Sequence, residues 1–209
     1  NAVGLKALSL DLRAGQITGL AGVSGNGQAA LADLIAGETV PASGVFEVAG
    51  EGVGAWTPRA ALDARIGRIP EDRHRTGTIS DFTLSENAVL EAYEKEPFSK
   101  NGWFDWKAVN RHTRAIIERY DVRCPGPDAR IRLLSGGNMQ KLILGRALEA
   151  EPKIILAVQP VRGLDIGAVT YVQNRLIEAR DAGAAVLLIS EDLDEVLTLA
   201  DVIHVISEG

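Results

Sequence analysis

The sequence predicts an α/β fold built on a mostly parallel sheet, with a helical segment inserted into it. Three observations carry this. From Ile154 to Ser207, strand-like and helix-like stretches alternate strictly, and the strands are nearly unbroken apolar runs, the pattern of a sheet covered on both faces. Near the start, a glycine-rich stretch joins a buried-strand pattern to a helix-forming one across Ile17–Ala36. Between about Glu71 and Ala150 the texture changes to helical stretches joined by loops rich in Gly, Pro and Asp.

Taken in order, Leu8-Ser-Leu-Asp-Leu-Arg13 alternates apolar and polar residues as a half-buried strand does, and Ala14-Gly15 turns the chain. Ile17-Thr-Gly-Leu-Ala21 reads as a buried strand. After Gly22-Val-Ser-Gly-Asn-Gly27 comes Gln28–Ala36, a good helix former with Gly37 placed to cap its end. Val45–Val48 alternates again, and Arg65–Ile69 is a short strand halted by Pro70. In the insertion, Leu84–Tyr93, Trp106–Tyr120 and Asn138–Ala150 have helical texture. Strand Ile154–Val158, helix Gly167–Arg180, strand Ala185–Ser190, helix Asp192–Leu199 and strand Val202–Ser207 complete the pattern. The expected organisation is one domain over 1–209, in which 1–75 and 151–209 form the α/β core and 76–150 the helical insertion.

The 209 residues are 46% hydrophobic and 24% charged, which excludes a disordered or fibrous chain. A net charge of −6 gives no support to a general nucleic-acid or anionic-membrane surface. The single cysteine, Cys124, can form neither an internal disulfide nor a cysteine metal cluster, and points to a reducing compartment. His74, His112 and His204 lie far apart without ligand spacing, so no metal site is expected. The longest apolar runs, Ala184–Ile189 and Ile154–Val158, fall far short of the roughly 20 residues of a membrane span, and the start carries no signal-peptide pattern. The chain begins at Asn1 and stops just after a strand-like run, so it reads as a piece of something longer. Sixteen arginines outnumber six lysines, and no lysine falls between Lys6 and Lys95.

The strand–loop–helix at Ile17–Ala36 is the place where an open α/β sheet binds phosphate. Glycines let successive backbone N–H groups converge on an anion, and a helix N-terminus adds partial positive charge. The P-loop pattern is G-x-x-x-x-G-K-[ST]. Gly22 and Gly27 match it, with Val23, Ser24, Gly25 and Asn26 between them, but Gln28 stands at the lysine position and Ala29 at that of the Mg²⁺-binding hydroxyl. Such a loop offers backbone donors without a cation for the phosphate oxygens or a side-chain metal ligand. Structurally, it is equally consistent with a tight βα turn.

Leu134-Ser-Gly-Gly-Asn-Met-Gln-Lys141 leads into a helix-forming run up to Leu148. Ser135 can cap that helix, and Gly136 and Gly137 let another chain's phosphates approach. The string, Leu134, Ser135, Gly136, Gly137, Asn138 and Gln140 included, resembles the LSGGQ signature motif of ABC-type ATPases, with Asn138 in the form common in sugar and nucleoside importers. The family's other pieces follow in its order. Ile154–Pro160 resembles the Walker B strand, with Val158 at its Mg²⁺-linked Asp position and Gln159 at the catalytic Glu position. Val161-Arg-Gly-Leu-Asp165 resembles the D-loop with Asp165 retained, Glu71 occupies the place of the Q-loop glutamine, and Glu191 that of the switch histidine.

The resemblance covers essentially the whole chain. It implies a RecA-like P-loop NTPase core of the ABC ATPase kind, with an antiparallel β edge and a helical subdomain carrying the signature motif. Five replacements (Gln28, Ala29, Val158, Gln159, Glu191) each remove a group that γ-phosphate chemistry needs; a carboxamide such as Gln159 cannot accept water's proton at neutral pH, and Val158 cannot position Mg²⁺. In this family two nucleotide-binding domains pair head to tail, each signature motif closing over the other's P-loop. The implied protein is therefore the C-terminal, degenerate half of a tandem importer ATPase. It would donate Leu134–Gln140 and Asp165 to the ATP site of the N-terminal nucleotide-binding domain of the same polypeptide while its own site turns over little or nothing.

Mg-ATP would be bound by the full-length protein, and weakly or not at all by this piece. The implied partners are transmembrane permease subunits and, indirectly, a substrate-binding protein, with no nucleic acid, on the cytoplasmic face of the cell membrane. The loop Gly22–Gln28, Pro70-Glu-Asp-Arg73 and Gln159–Asp165 lean toward the nucleoside branch. Two other readings remain: a non-hydrolytic nucleotide-sensing or structural module, and a soluble ABC protein acting on nucleic acid or ribosomes, against which the net charge counts.

Weaker features complete the sequence. Trp103, Phe104 and Trp106 lie in the insertion, which by the resemblance faces the membrane subunits; packing of the small helical core is the favoured expectation for them. Arg162 reads either as an interface residue or as a surface charge. The adenine-stacking aromatic of the family would fall at or before Asn1.

Overall fold

The computed structural model describes residues 4–209; the adenine-stacking position expected at or before Asn1 lies outside them. The chain divides into two compact units. One comprises the residues up to Arg68 with Glu151–Pro160 and Gln173–Gly209, the other Ile69–Ala150 with Val161–Val172.

The first unit holds a five-stranded sheet. In chain order, β1 (Gln16–Ala21) leads to α1 (Gln28–Ile35), and a two-stranded antiparallel ribbon, β2 (Glu47–Val48) and β3 (Glu51–Gly52), precedes α2 (Pro58–Asp63) and β4 (Ile66–Ile69). Further along the chain come β7 (Ile154–Val158), α6 (Ile166–Asp181), whose residues up to Val172 belong to the second unit, β8 (Ala185–Ser190), α7 (Leu193–Leu199) and β9 (Val202–Val205). The sheet order is β4-β7-β8-β1-β9, with β1 parallel to both β8 and β9 and β7 parallel to β8. The architecture is the α/β one expected, a mostly parallel sheet with antiparallel edge pieces.

Parallel strands need both faces covered, and β8 obliges with a fully buried Ala185–Ser190. Leu20, Leu156, Leu187 and Ile189 from three strands meet Leu31 and Ile35 of α1 in the main core. Leu8–Arg13 forms no strand, although Leu10 and Leu12 pack against that core. The alternation reported which side chains turn inward and not whether a partner strand pairs with the backbone.

In the second unit, Asp72 caps a single π-type turn (Arg73–Gly77), its carboxylate accepting the His74 and Arg75 N–H groups. Then come α3 (Leu84–Ala88), the hairpin β5 (Ser99–Lys100) and β6 (Trp103–Phe104), α4 (Trp106–Arg119) and α5 (Gly136–Glu149). Thr83 and Glu86 form a reciprocal capping box on α3. That helix stops well before Tyr93, because Val89 is drawn into a small core with Phe98, Ala108 and Val109. The hairpin replaces an expected loop: Asn101 and Gly102 both adopt positive φ (51° and 79°), as a two-residue turn requires.

The hairpin also corrects the expectation for the aromatics. Successive strand residues point to opposite faces, so Phe104 packs on the small core while Trp103 is 82% exposed. Trp106 stays half exposed, edge-on to Phe104 with ring centroids 4.8 Å apart.

Gly37 shows how closely local sequence and packing agree. It ends α1 in a Schellman arrangement, its N–H donating to the Leu34 carbonyl (3.1 Å) and that of Glu38 to Asp33 (2.8 Å), at φ +77°. A Cβ added there would lie 2.4 Å from the Thr57 carbonyl oxygen. Gly37→Ala therefore combines a left-handed penalty with a backbone clash. It is expected to destabilise the chain by about 2 kcal/mol or more, read as a lowered urea midpoint at unchanged slope.

Candidate functional site

In the first unit, the register brings three strand ends together. Ala21 lies opposite Ser190, and Val158 opposite Ile189. The loop after β1, Gln159 after β7 and Glu191 after β8 thus emerge side by side at the carboxyl edge of the sheet, where open α/β sheets bind ligands.

The loop keeps a phosphate-binding path, but its own side chains fill part of it. Gln28 is 9% exposed, and its Oε1 accepts the Asn26 backbone N–H (3.0 Å) while its Nε2 donates to the Val23 carbonyl (3.0 Å). Asn26 Nδ2 donates to the same carbonyl (2.8 Å). The Asn26 Oδ1 and carbonyl accept the N–H groups of Glu208 and Gly209 (2.8 and 2.9 Å). A backbone donor that a phosphate would use is therefore spent within the loop. A Cβ on Gly22 would meet the Ile206 carbonyl at 2.6 Å and Gln28 Nε2 at 2.9 Å, so glycine is required for this close approach. Val23, Ser24, Gly25 and Ala29 are exposed.

The end of the neighbouring strand β7 carries no carboxylate for magnesium. Val158 packs on the main core. Gln159 sits in the left-handed region (φ 47°), its N–H donating to the Ile189 carbonyl (2.8 Å) and its Oε1 accepting the Glu191 N–H (3.4 Å). A magnesium ion would find no hydroxyl at Ala29 and no carboxylate at Val158, so these residues do not fit that ion.

Behind Glu191 lies a carboxyl that was not singled out from the sequence. Ser190 Oγ donates to Glu195 Oε2 (2.6 Å) and accepts the Asp192 N–H (3.1 Å), which fixes the turn carrying Glu191. Glu195 is 3% exposed, and its Oε1 has no partner. Burial pushes its carboxyl above the usual range, opposed by the Ser190 hydrogen bond. In Asp192-Leu-Asp-Glu195 it resembles an ordinary first-turn acid of a helix, so only an acid's inward position in three dimensions marks it.

The second unit carries the signature string. Ser135 caps α5 with φ −66° and ψ 156°, its Oγ accepting from Asn138 Nδ2 (2.9 Å) and the Asn138 N–H (3.4 Å). Asn138 Oδ1 in turn accepts the Arg123 N–H (2.8 Å). Leu134 is an anchor at 9% exposure, whereas Ser135 is exposed and Gly136, Gly137 and Asn138 are partly so. Gln140 corrects the sequence grouping: it is 2% exposed and faces inward, so the presented groups are Ser135–Asn138. Asp165 closes the first turn of α6, Oδ1 accepting the Ala168 N–H (3.0 Å). Glu71 is ion-paired with Arg162.

A family model described as ABC transporter matches residues 5–161. The chain is 44% identical over 205 residues to "Nucleoside import ATP-binding protein NupA" of Lactococcus lactis subsp. cremoris, covering 98% of this chain and 40% of that protein. It is likewise 44% identical to "Guanosine import ATP-binding protein NupO" of Bacillus subtilis, again over 98% of this chain and 40% of the relative. The chain thus spans about two fifths of the length of these curated relatives. Among solved structures, a nucleotide-free ATP-binding cassette of an ABC transporter superposes with a TM-score of 0.81 at 24% identity, over 98% of this chain and 82% of that one. A dimeric cassette in a post-hydrolysis state with ADP and Pi superposes at 0.82 and 20%, over 98% and 87%.

The buried acid behind Glu191 makes a pH prediction. With its folded-state pKa raised, Glu195 stays protonated in the folded chain where the unfolded chain has already released its proton. Its contribution to stability is whole below the ordinary value of 4.5 and is lost as pH rises through the raised value. Glu195→Gln, which cannot ionise but keeps an acceptor for Ser190, is expected to unfold at a higher urea midpoint than the native chain at pH 8. At pH 4 the two midpoints should converge.

Proposed function

Because this chain belongs to the ABC transporter family, we propose that it is the second, degenerate cassette of a tandem importer ATPase, supporting hydrolysis at its partner's site. The observation that carries this reading is a contrast between its two glycine-rich strings. Gln28 spends the Asn26 N–H inside its own loop, whereas Ser135–Asn138 stay exposed or partly exposed at the N-terminus of α5. A helix start with open backbone donors suits an anion supplied from elsewhere. A loop closed on its own amide, beside Val158 and Gln159, does not suit γ-phosphate cleavage.

The role for each group follows from its chemistry. Ser135, Gly136, Gly137 and Asn138 contact the nucleotide held by the N-terminal cassette of the same polypeptide, and Asp165 lies beside them at the paired interface. Val158, Gln159, Glu71 and Glu191 mark catalytic positions given up. Transmembrane permease subunits couple the paired cassettes to import, which places the domain on the cytoplasmic face of the membrane. The cargo is a nucleoside or a simple sugar, and the names of two relatives, nucleoside and guanosine import proteins, favour the nucleoside.

In the full-length protein assembled with its permease, Ser135→Arg fills the presented helix start. ATP hydrolysis and uptake are expected to fall by roughly a hundredfold, and activity that survives the change overturns the donor role. Calorimetric titration of the 209-residue chain with ATP or ADP is expected to give binding no tighter than millimolar. Micromolar affinity would favour a module that holds nucleotide without turning it over.

A further inference from the structure

Two strings singled out in the sequence, Pro70-Glu-Asp-Arg73 and Val161-Arg-Gly-Leu-Asp165, meet within the second unit. Arg162 pairs with Glu71, and Arg73 Nη2 donates to the Arg162 carbonyl. The Gly163 backbone, at φ +66°, turns beside that guanidinium: a Cβ there would lie 3.4 Å from Arg73 Nη2. On its other side the same guanidinium runs past the start of α5, with Nε 3.7 Å from where a Gly136 Cβ would be. Gly137 faces the turn itself, 3.4 Å from Ala168 Cβ and 3.9 Å from Asp165 Oδ2 by the same measure. Arg73 thus stands between the turn and the helix start. Val161–Val172 accordingly belongs to the same compact unit as α5, apart from the strand β7 that precedes it.

We propose that Arg73, with the Glu71–Arg162 pair, is a latch that holds the Val161–Asp165 turn against the start of α5, so that Ser135–Asn138 and Asp165 are offered to the partner site as one piece. The proposal rests on the donor role. An exposed ion pair alone holds little: Arg162 and Glu71 side chains are 60% and 46% exposed, and such pairs are worth about 0–1 kcal/mol. The half-buried Arg73 makes the difference, because its Nη2 bonds the turn's carbonyl while Nε of the same rigid guanidinium lies beside the helix start. Glu71 then has a function of its own: it orients Arg162, and Arg162 carries the carbonyl that Arg73 reads.

The test uses the full-length protein with its permease. Arg73→Met is expected to lower kcat for ATP hydrolysis roughly tenfold with little change in KM. Arg73→Lys should restore only part of it, since a lysine lacks the fork. Hydrogen exchange at the Arg162–Asp165 amides should speed up in Arg73→Met while the α5 amides keep their protection. Glu71→Arg and Arg162→Glu should each lower kcat, and the double exchange should recover it. A kcat within twofold of the native value in Arg73→Met, or no recovery in the exchanged pair, overturns the latch. The two proposals fail separately. A silent Ser135→Arg removes the donor role whatever Arg73 does, whereas a dead Ser135→Arg with a fully active Arg73→Met removes the latch alone.

Discussion

Strand β8 is buried along all six of its residues and is flanked by β7 on one side and β1 on the other. Its parallel registers with both neighbours leave no freedom in where those strands end. A slip of one residue would turn every core side chain of the strand to the opposite face. The same registers therefore set the floor of the loop after β1, the position of Gln159 and the turn at Glu191. Burial of a hydrophobic strand and placement of a polar edge are one constraint seen from two sides.

On that scaffold, two loops of similar composition have opposite fates. Gly22–Gly27 precedes a helix and Gly136–Gly137 begin one, and in both an amide side chain lies close by. Gln28 folds back and bonds to the loop on two sides. Asn138, the third residue of α5, bonds to Ser135 and to Arg123. Chain length decides the difference as much as chemistry: a side chain at the first helical position can reach the loop before it, and one at the third reaches only the cap. Nearly identical functional groups thus take up one loop amide in the first case and hold the helix cap in the second.

Much of this was legible in the residues. The strand–helix alternation after Ile154, the glycine stop at Gly37 and the Ser135 cap all depend on short-range chemistry, and each was found where the sequence placed it. Asn101-Gly102 carried an equally short-range signal for a hairpin that was read as loop. Other features depended on distant partners. Arg162 could be assigned only once Glu71 and Arg73, about ninety residues away, were found beside it. Glu195 resembled a helix-capping acid until Ser190 was seen to hold it inside, and Gln140 resembled a presented motif residue until its burial was visible. Spacing reports which face a residue shares, and not what the rest of the fold sets against that face.

The doubly bonded Gln28 also has a consequence for substitution at its position. Lysine has three donors and no acceptor, so Gln28→Lys would deprive the Asn26 N–H of the oxygen that now satisfies it. The substitution would place a cation in a loop still facing Ala29 and Val158, which offer magnesium nothing. The exchange would trade two hydrogen bonds for one charge, so the amide is a structural member of the loop and not a bystander in it.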